Sequence, residues 1–341
     1  MLQNFNRLNL LTLVLTFCLI VLGAYVRLSH AGLGCPDWPG CYGHIGVPDA
    51  AHEIAAAETA YPERPVEAPK AWKEMVHRYL AGIVGLLIGG LAVLTWRDRS
   101  GLLPRGVATA TVGVVLLQIV FGALTVTLKV KPIIVTTHLL LGLTTLSLVF
   151  WMWAGTRTAA TPVARFSNPP PAGLLKPLSA LALLLLCGQI FLGGWTSTNY
   201  AALACPDFPT CHGVYTPQGE LGVAFKLWHG LGIDYEGGIL DVAARATIHL
   251  VHRYGALLLS LVLIGIAAYL LSLRRAPYRQ LAFALLGALS LQLVIGIGLI
   301  HLQLPLWLAD AHNAGAALLL LVVLALNNAV WRGALPRPGQ S

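Results

Sequence analysis

GAYVRLSHAGLGCPDWPGC, residues 23–41, returns as GGWTSTNYAALACPDFPTC at residues 193–211. The leading glycines, the cysteines and the CPD-aromatic-P core keep their register. VHRY likewise occurs at 76–79 and again at 251–254. Gln118-Ile-Val-Phe-Gly and Gln292-Leu-Val-Ile-Gly each precede a histidine, His138 and His312, by the same 20 residues. Several unrelated motifs thus share one offset of about 170–175, the mark of an internal duplication. Each copy carries four long apolar segments. An even number brings both copies into a membrane in the same orientation. The expected fold is an all-α polytopic membrane protein of eight transmembrane helices, built as two tandem four-helix bundles. A pseudo-two-fold axis along the membrane normal should relate them. The expected units are 1–155, a Pro-, Ala- and Arg-containing cytoplasmic linker at 156–174, and 175–341.

Composition sets the class. Of 341 residues, 57% are hydrophobic and 11% charged, against about a quarter charged in soluble domains. A membrane span needs roughly 20 mostly apolar residues. Eight stretches qualify, near 9–27, 73–96, 106–128, 133–154, 175–196, 243–272, 279–303 and 307–331. The first is weakly charged at its start and about as long as a full span. It also has a counterpart in the fifth, so it reads as a retained helix rather than a signal peptide.

The net charge of +8 is laid out by topology and does not point to nucleic acid. Arg7, Arg97, Arg99, Arg105, Arg157, Arg165, Lys176, Arg274, Arg275, Arg279, Arg332 and Arg337 all fall on one side, with Asp98 the single acid among them. The positive-inside rule makes that side cytoplasmic. Both termini are then inside, and the long loops near 28–72 and 197–242 are outside.

Four histidines occupy matched places near the outer ends of apolar segments: His77, His138, His252 and His312. Imidazole is costly in hydrocarbon, so four at one depth suggest a shared task. Facing imidazoles across a helical bundle are natural axial ligands for haem iron. The simplest pairing is His77 with His138 and His252 with His312. The alternative is a set hydrogen-bonded to carbonyls or lining a proton path. Arg78 and Arg253 follow histidines directly. They could snorkel to headgroups or pair with a haem propionate, as could Arg27 and Arg245. The halves differ at Glu74, three residues before His77, where the second half has His249. A carboxylate beside an iron site can handle protons, which makes the first site the one for chemistry. His30 and His301 read as interfacial, and His44, His52, His212 and His229 as loop residues.

Six cysteines are present. Cys18 and Cys187 lie inside spans and read as small apolar core residues. Cys35/Cys41 and Cys205/Cys211 sit in outer loops, where disulfides are permitted. Each pair is either a staple over its bundle or a redox-active dithiol. No CxxCH is present for covalent haem attachment. Walker A, HExxH and GxSxG motifs are likewise absent.

EMVHRYLAG, TTHLLLG, the second VHRY with AHNAGA, and the two CPDxPxC loops together resemble the haem A synthase family over essentially the whole chain. The resemblance implies a membrane oxidoreductase of cytochrome oxidase assembly. It oxidises a methyl group of haem O, by way of a hydroxymethyl form, to the formyl group of haem A. It further implies that His77 and His138 flank substrate haem O, with Glu74 as the functional carboxylate. His252 and His312 would hold a haem b cofactor, and Cys35–Cys41 and Cys205–Cys211 would be the outer-loop pairs. Some family members lack one or both cysteine pairs. The implied location is a bacterial cytoplasmic (inner) membrane. Haem O synthase, cytochrome oxidase assembly factors, membrane lipid or a second copy of the chain are the candidate partners. The rival readings are a di-haem b electron-transfer protein, a thiol oxidoreductase built on the cysteine pairs, and a transporter suggested by the repeat.

Overall fold

The structure is a computed structural model, and it describes residues 2–160, 172–216 and 219–332. Of the expected linker, residues 161–171, with Arg165, lie outside the described residues, as does Arg337; the side chains of Arg157 and Arg332 do too. The described residues form ten helices: α1 (Leu2–Leu28), α2 (Ala51–Ala60), α3 (Ala68–Arg97), α4 (Arg105–Thr127), α5 (Pro132–Ala160), α6 (Ala172–Thr198), α7 (Leu221–Ala224), α8 (Val242–Ser272), α9 (Ala276–His301) and α10 (Leu306–Arg332). Eight of them are long and apolar enough to cross a membrane. All eight coincide with the expected spans, displaced at their ends by a few residues. The chain is an all-helical, multi-pass membrane protein.

Local chemistry explains where the helices stop. Proline opens α5 and stands in the first turn of α3 and α9, where its missing N–H costs nothing. Asp241 caps α8 by accepting from the Ala244 amide at 2.7 Å, the ordinary service of an N-cap carboxylate. At the α3–α4 corner, Asp98 accepts from the Ser100 hydroxyl and amide and from the Leu103 amide. The Ser100 hydroxyl, ahead of these amides, holds the Asp98 carboxyl below its ordinary range, against an opposing effect of desolvation. Arg105 closes the same turn on the Thr95 and Asp98 carbonyls. The one acid at the arginine-rich end is therefore a turn lock.

Within the first half, α1 packs on α3, α3 on α4, α4 on α5, and α5 back on α1. The second half repeats this closed ring with α6, α8, α9 and α10. The halves meet through α1 with α10, α5 with α6, and α5 with α10. In each ring the helices bearing the key histidines, α3 with α5 and α8 with α10, stand diagonally opposed.

The packed apolar core lies toward the arginine-rich end. Leu13, Ile88, Leu91, Leu146, Val149, Leu186, Leu263, Leu270, Leu285, Val323 and Leu326 belong to one buried cluster spanning both halves. At the other end, nearer the disulfide loops, the packing opens. α1 has no buried residue over 19–25, α5 none over 137–142, and α9 none over 291–299. A helix that packs tightly in a bundle buries one face every turn. Runs of six to nine residues without a buried position mean that the inward faces border accessible interior space. Cys18 and Cys187 correct the expectation of core placement: both are exposed. A small apolar thiol suits a lipid-facing surface as well as a core.

Candidate functional site

His77 and His138 stand on diagonal helices of the first ring, and His252 and His312 on diagonal helices of the second. His138 and His312 each lie six residues into their helices. His77 and His252 lie nine and ten residues in, because α3 and α8 project further beyond the apolar zone toward the disulfide loops. His138 and His77 are within electrostatic range of each other, as are His252 and His312.

Each ring lies against a glycine of the adjacent helix. A methyl group built on Gly23 of α1 would come within 2.8 Å of His77 Cε1. The equivalent approaches are Gly122 to His138 at 3.3 Å, Gly193 to His252 at 3.3 Å and Gly296 to His312 at 3.1 Å. Any larger residue there would push the ring from its place. All four rings are half-buried. Nδ1 of His77, His138 and His312 is nevertheless sealed, without a partner among the described residues. Gln118 and Gln292 bring their amide nitrogens to 3.5 and 3.3 Å from Nε2 of His138 and His312. Gln189 stands 3.1 Å from Nδ1 of His252. The first two lie in a motif that is visible as a repeat. Gln189 is not, because the matching position in the first half is Leu19.

Glu74 is buried, which excludes a solvated helix-start role. One oxygen accepts from the Cys35 amide at 3.0 Å and the other from Arg78 at 2.5 Å. Arg78 also donates to the carbonyls of Pro39 and Gly40 in the first disulfide loop. Arg253 does the same in the second half, reaching the carbonyls of Cys205, Asp207 and Thr210. Both arginines thus tie their loops to the helix that bears the neighbouring histidine. His249, at the position of Glu74, is buried with Nδ1 unpartnered among the described residues. Arg245 lies seven residues before His252, two turns away on the same helical face. Its Nε is buried without a partner among the described residues. Arg27 donates to the Ser197 carbonyl of the other half at 3.2 Å and lies over the Tyr200 ring.

Cys35 and Cys41 form a disulfide, as do Cys205 and Cys211. All four residues are buried. Exchange requires an attacking thiolate to reach a sulfur, so burial favours the staple. Sequence reasoning missed why Asp belongs in the motif. Asp37 accepts from the Tyr42 and Gly43 amides at 2.6 and 2.8 Å. Asp207 accepts from the His212 and Gly213 amides at 2.6 and 2.9 Å. Each carboxylate closes the turn that follows the second cysteine. The fixed spacing of Asp, Cys and the following glycine was the available signal.

A profile of the family described as "Cytochrome oxidase assembly protein" matches residues 6–324. The chain belongs to this family. A relative from Shewanella oneidensis, named Heme A synthase, is 42% identical over 94% of this chain and 95% of its own length. Relatives of the same name from Mesorhizobium japonicum and Allorhizobium ampelinum are 28% and 27% identical. They cover 94% and 96% of this chain, and 88% and 90% of their own lengths. Family membership thus agrees with the resemblance carried by the histidine and cysteine motifs.

Proposed function

We propose that this chain is a haem A synthase, an oxidoreductase that converts a methyl group of haem O into the formyl group of haem A. The observation that carries this reading is the pair of diagonal, glycine-seated histidine sets, with buried Glu74 three residues before the first histidine of one half and His249 at the matched position of the other. The relatives' name and the near full-length match support it. The chain forms two bundles related by a pseudo-two-fold axis along the membrane normal, substrate in the first and cofactor in the second. It lies in the bacterial cytoplasmic membrane, with both termini inside and the cysteine loops outside, an orientation that the arginine distribution supports.

The residues fit iron porphyrins. Paired imidazoles across open interior space are a donor set that would suit haem iron. With Nδ1 sealed against the glycine side, Nε2 is the nitrogen left for iron, and Gln118 and Gln292 are the side chains that must turn aside. His77 and His138 hold substrate haem O, while His252 and His312 hold haem b. Bound haem b supplies one-electron transfer. Arg245 has a buried guanidinium nitrogen free for a propionate, two turns from His252. Arg27 and Arg253 each have a buried Nε of the same kind, without a partner among the described residues, whereas Arg78 is bonded to Glu74 and the first loop. Oxidising a methyl group releases protons. Glu74 is oriented by Arg78 and the Cys35 amide to accept them one helical turn from His77. The long isoprenoid tail of haem O makes the bilayer the place of exchange, and haem O synthase or oxidase assembly factors the natural neighbours.

The purified chain, supplied with haem O, should accumulate haem A among its extracted pigments. Absence of haem A under reducing and oxidising supply alike would remove the assignment. His252→Ala and His312→Ala should each abolish the low-spin haem b spectrum; an unchanged spectrum would place the ligands elsewhere.

A further inference from the structure

Four positions before each glycine seat, one turn back on the same helical face, stands a residue that separates one seat from the other three. It is Gln118 before Gly122, Gln189 before Gly193 and Gln292 before Gly296, but Leu19 before Gly23. Each glutamine meets a second glycine, on the helix that carries the histidine. A methyl group built on Gly255, three residues after His252, would collide with Gln189 Oε1. One built on Gly315, three residues after His312, would collide with Gln292 Oε1. One built on Gly142, four residues after His138, would come within 3.2 Å of Gln118 Nε2. The corresponding positions after His77 hold Leu80 and Ala81. Glutamine and glycine therefore occur together at three of the matched places and are both missing at the fourth.

In the second bundle the glutamines also reach the main chain. Gln189 Nε2 donates to the His252 carbonyl at 3.0 Å, and Gln292 Nε2 to the His312 carbonyl at 3.0 Å. These bonds tie α6 to α8 and α9 to α10 at the histidine itself. Amide side chains that bond between helices hold them together in a membrane; Leu19 has no group with which to do so. Gln189 differs from Gln118 and Gln292 in standing on the Nδ1 side of its ring, 3.1 Å away. It leaves Nε2 to iron, and Nδ1 then carries the ring's proton. A half-turn of the amide, which exchanges its nitrogen and oxygen, offers that proton Oε1, now buried without a partner among the described residues. In either state Gln189 holds His252, by its carbonyl or by its ring.

We propose that Gln189 is a positioning residue that fixes His252 and so retains haem in the second bundle, whereas Leu19 and Leu80 at the matched place leave His77 the exchangeable ligand of the first. This rests on the assignment of both histidine pairs to haem. For an imidazole to leave iron its nitrogen must withdraw, by a turn of the side chain or a shift of its helix. Gln189 opposes both at α8, and Leu19 opposes neither at α3 by any directed bond. A cofactor must stay while a substrate comes and goes, so the asymmetry follows the two roles. It also puts the looser ligand on the helix of Glu74.

The full chain in detergent, loaded with ferric protohaem at both sites, is mixed with excess apomyoglobin, and capture of the haem is followed in the Soret band. Two phases are expected, the fast one from the first bundle. Gln189→Leu should speed the slow phase roughly tenfold, the scale of losing a group that orients a metal ligand, and leave the fast phase alone. Gly255→Ala, which displaces the amide without removing it, should act in the same direction. Conversely, Leu19→Gln combined with Leu80→Gly should slow the fast phase and spare the slow one. A slow phase unchanged in Gln189→Leu and Gly255→Ala overturns the proposal, as does equal acceleration of both phases, which is general loosening. A fast phase unchanged in the converse variant, with both haems bound, overturns it for His77. A chain that binds no haem sinks the ligand assignment itself; two haems that leave at one rate sink only this inference.

Discussion

Glu74 is the residue at which the two halves part company. Its carboxylate is buried and bonded on both oxygens, while the matching His249 holds a nitrogen without a partner among the described residues. Glu74→Gln preserves the shape and one acceptor but cannot take a proton. We expect turnover of haem O to fall by about a hundredfold or more, the usual range for a lost general base, with bound haem retained; haem extraction and the visible spectrum measure both. The glycine seats give a second prediction. Gly23→Val places carbon atoms where His77 sits, so the substrate-site pigment should be lost while the haem b spectrum persists. Gly82→Ala, with nothing near the added methyl, should change neither. The histidines and Glu74 were legible in the sequence because polar residues stand out in apolar segments. The four seat glycines recur in the repeated motifs, Gly23 with Gly193 and Gly122 with Gly296, but nothing in residue order says which ring each one meets.

The helices and disulfide loops divide in the same way. Apolar length located the spans, and the largest shifts are at the starts of α1 and α3 and the end of α5, where the helix runs on past the apolar stretch. The loops themselves depend on Asp37 and Asp207. Asp207 is held well below the ordinary carboxylate value of 3.8, first by the Thr210 hydroxyl and then by the Gly213 and His212 amides. A depressed native value means that the ionised form stabilises the loop. That contribution is complete above pH 3.8 and drains away as pH falls through the lower native value. Amide exchange over 205–214 should therefore stay slow at neutral pH and quicken only in strong acid. Asp207→Asn should make exchange faster at neutral pH and remove this acid dependence. Arg78 and Arg253 read equally well as lipid or propionate partners in sequence. Only folding brought the loop carbonyls within their reach.

The two halves are joined at the disulfide end by contacts that the repeat does not duplicate. Arg64 bridges to Asp234 and Glu236 at 2.5 and 2.6 Å. His30 stacks on Tyr200, and the Tyr235 amide donates to the Lys129 carbonyl. The Arg64 side chain is 27% exposed, so solvent screens part of its attraction. Arg64→Ala should cost at most about 1 kcal/mol, seen as a small fall in Tm that shrinks at high salt. Adding Asp234→Ala to that variant should cost little more, as a double-mutant cycle would record. A full additional loss would mean that Asp234 acts independently of Arg64.

Read alone, the chain determined its class, the number of spans, its duplication, its matched histidines and the odd carboxylate. These depend on hydropathy, charge and spacing, which are properties of residue order. Tertiary structure decided which nitrogens are sealed, that the arginines hold loops, and that a loop of one half buries a lysine of the other. Those facts depend on which surfaces meet at distances of a few ångströms, and groups about 16 to about 100 positions apart along the chain leave no periodic trace of meeting.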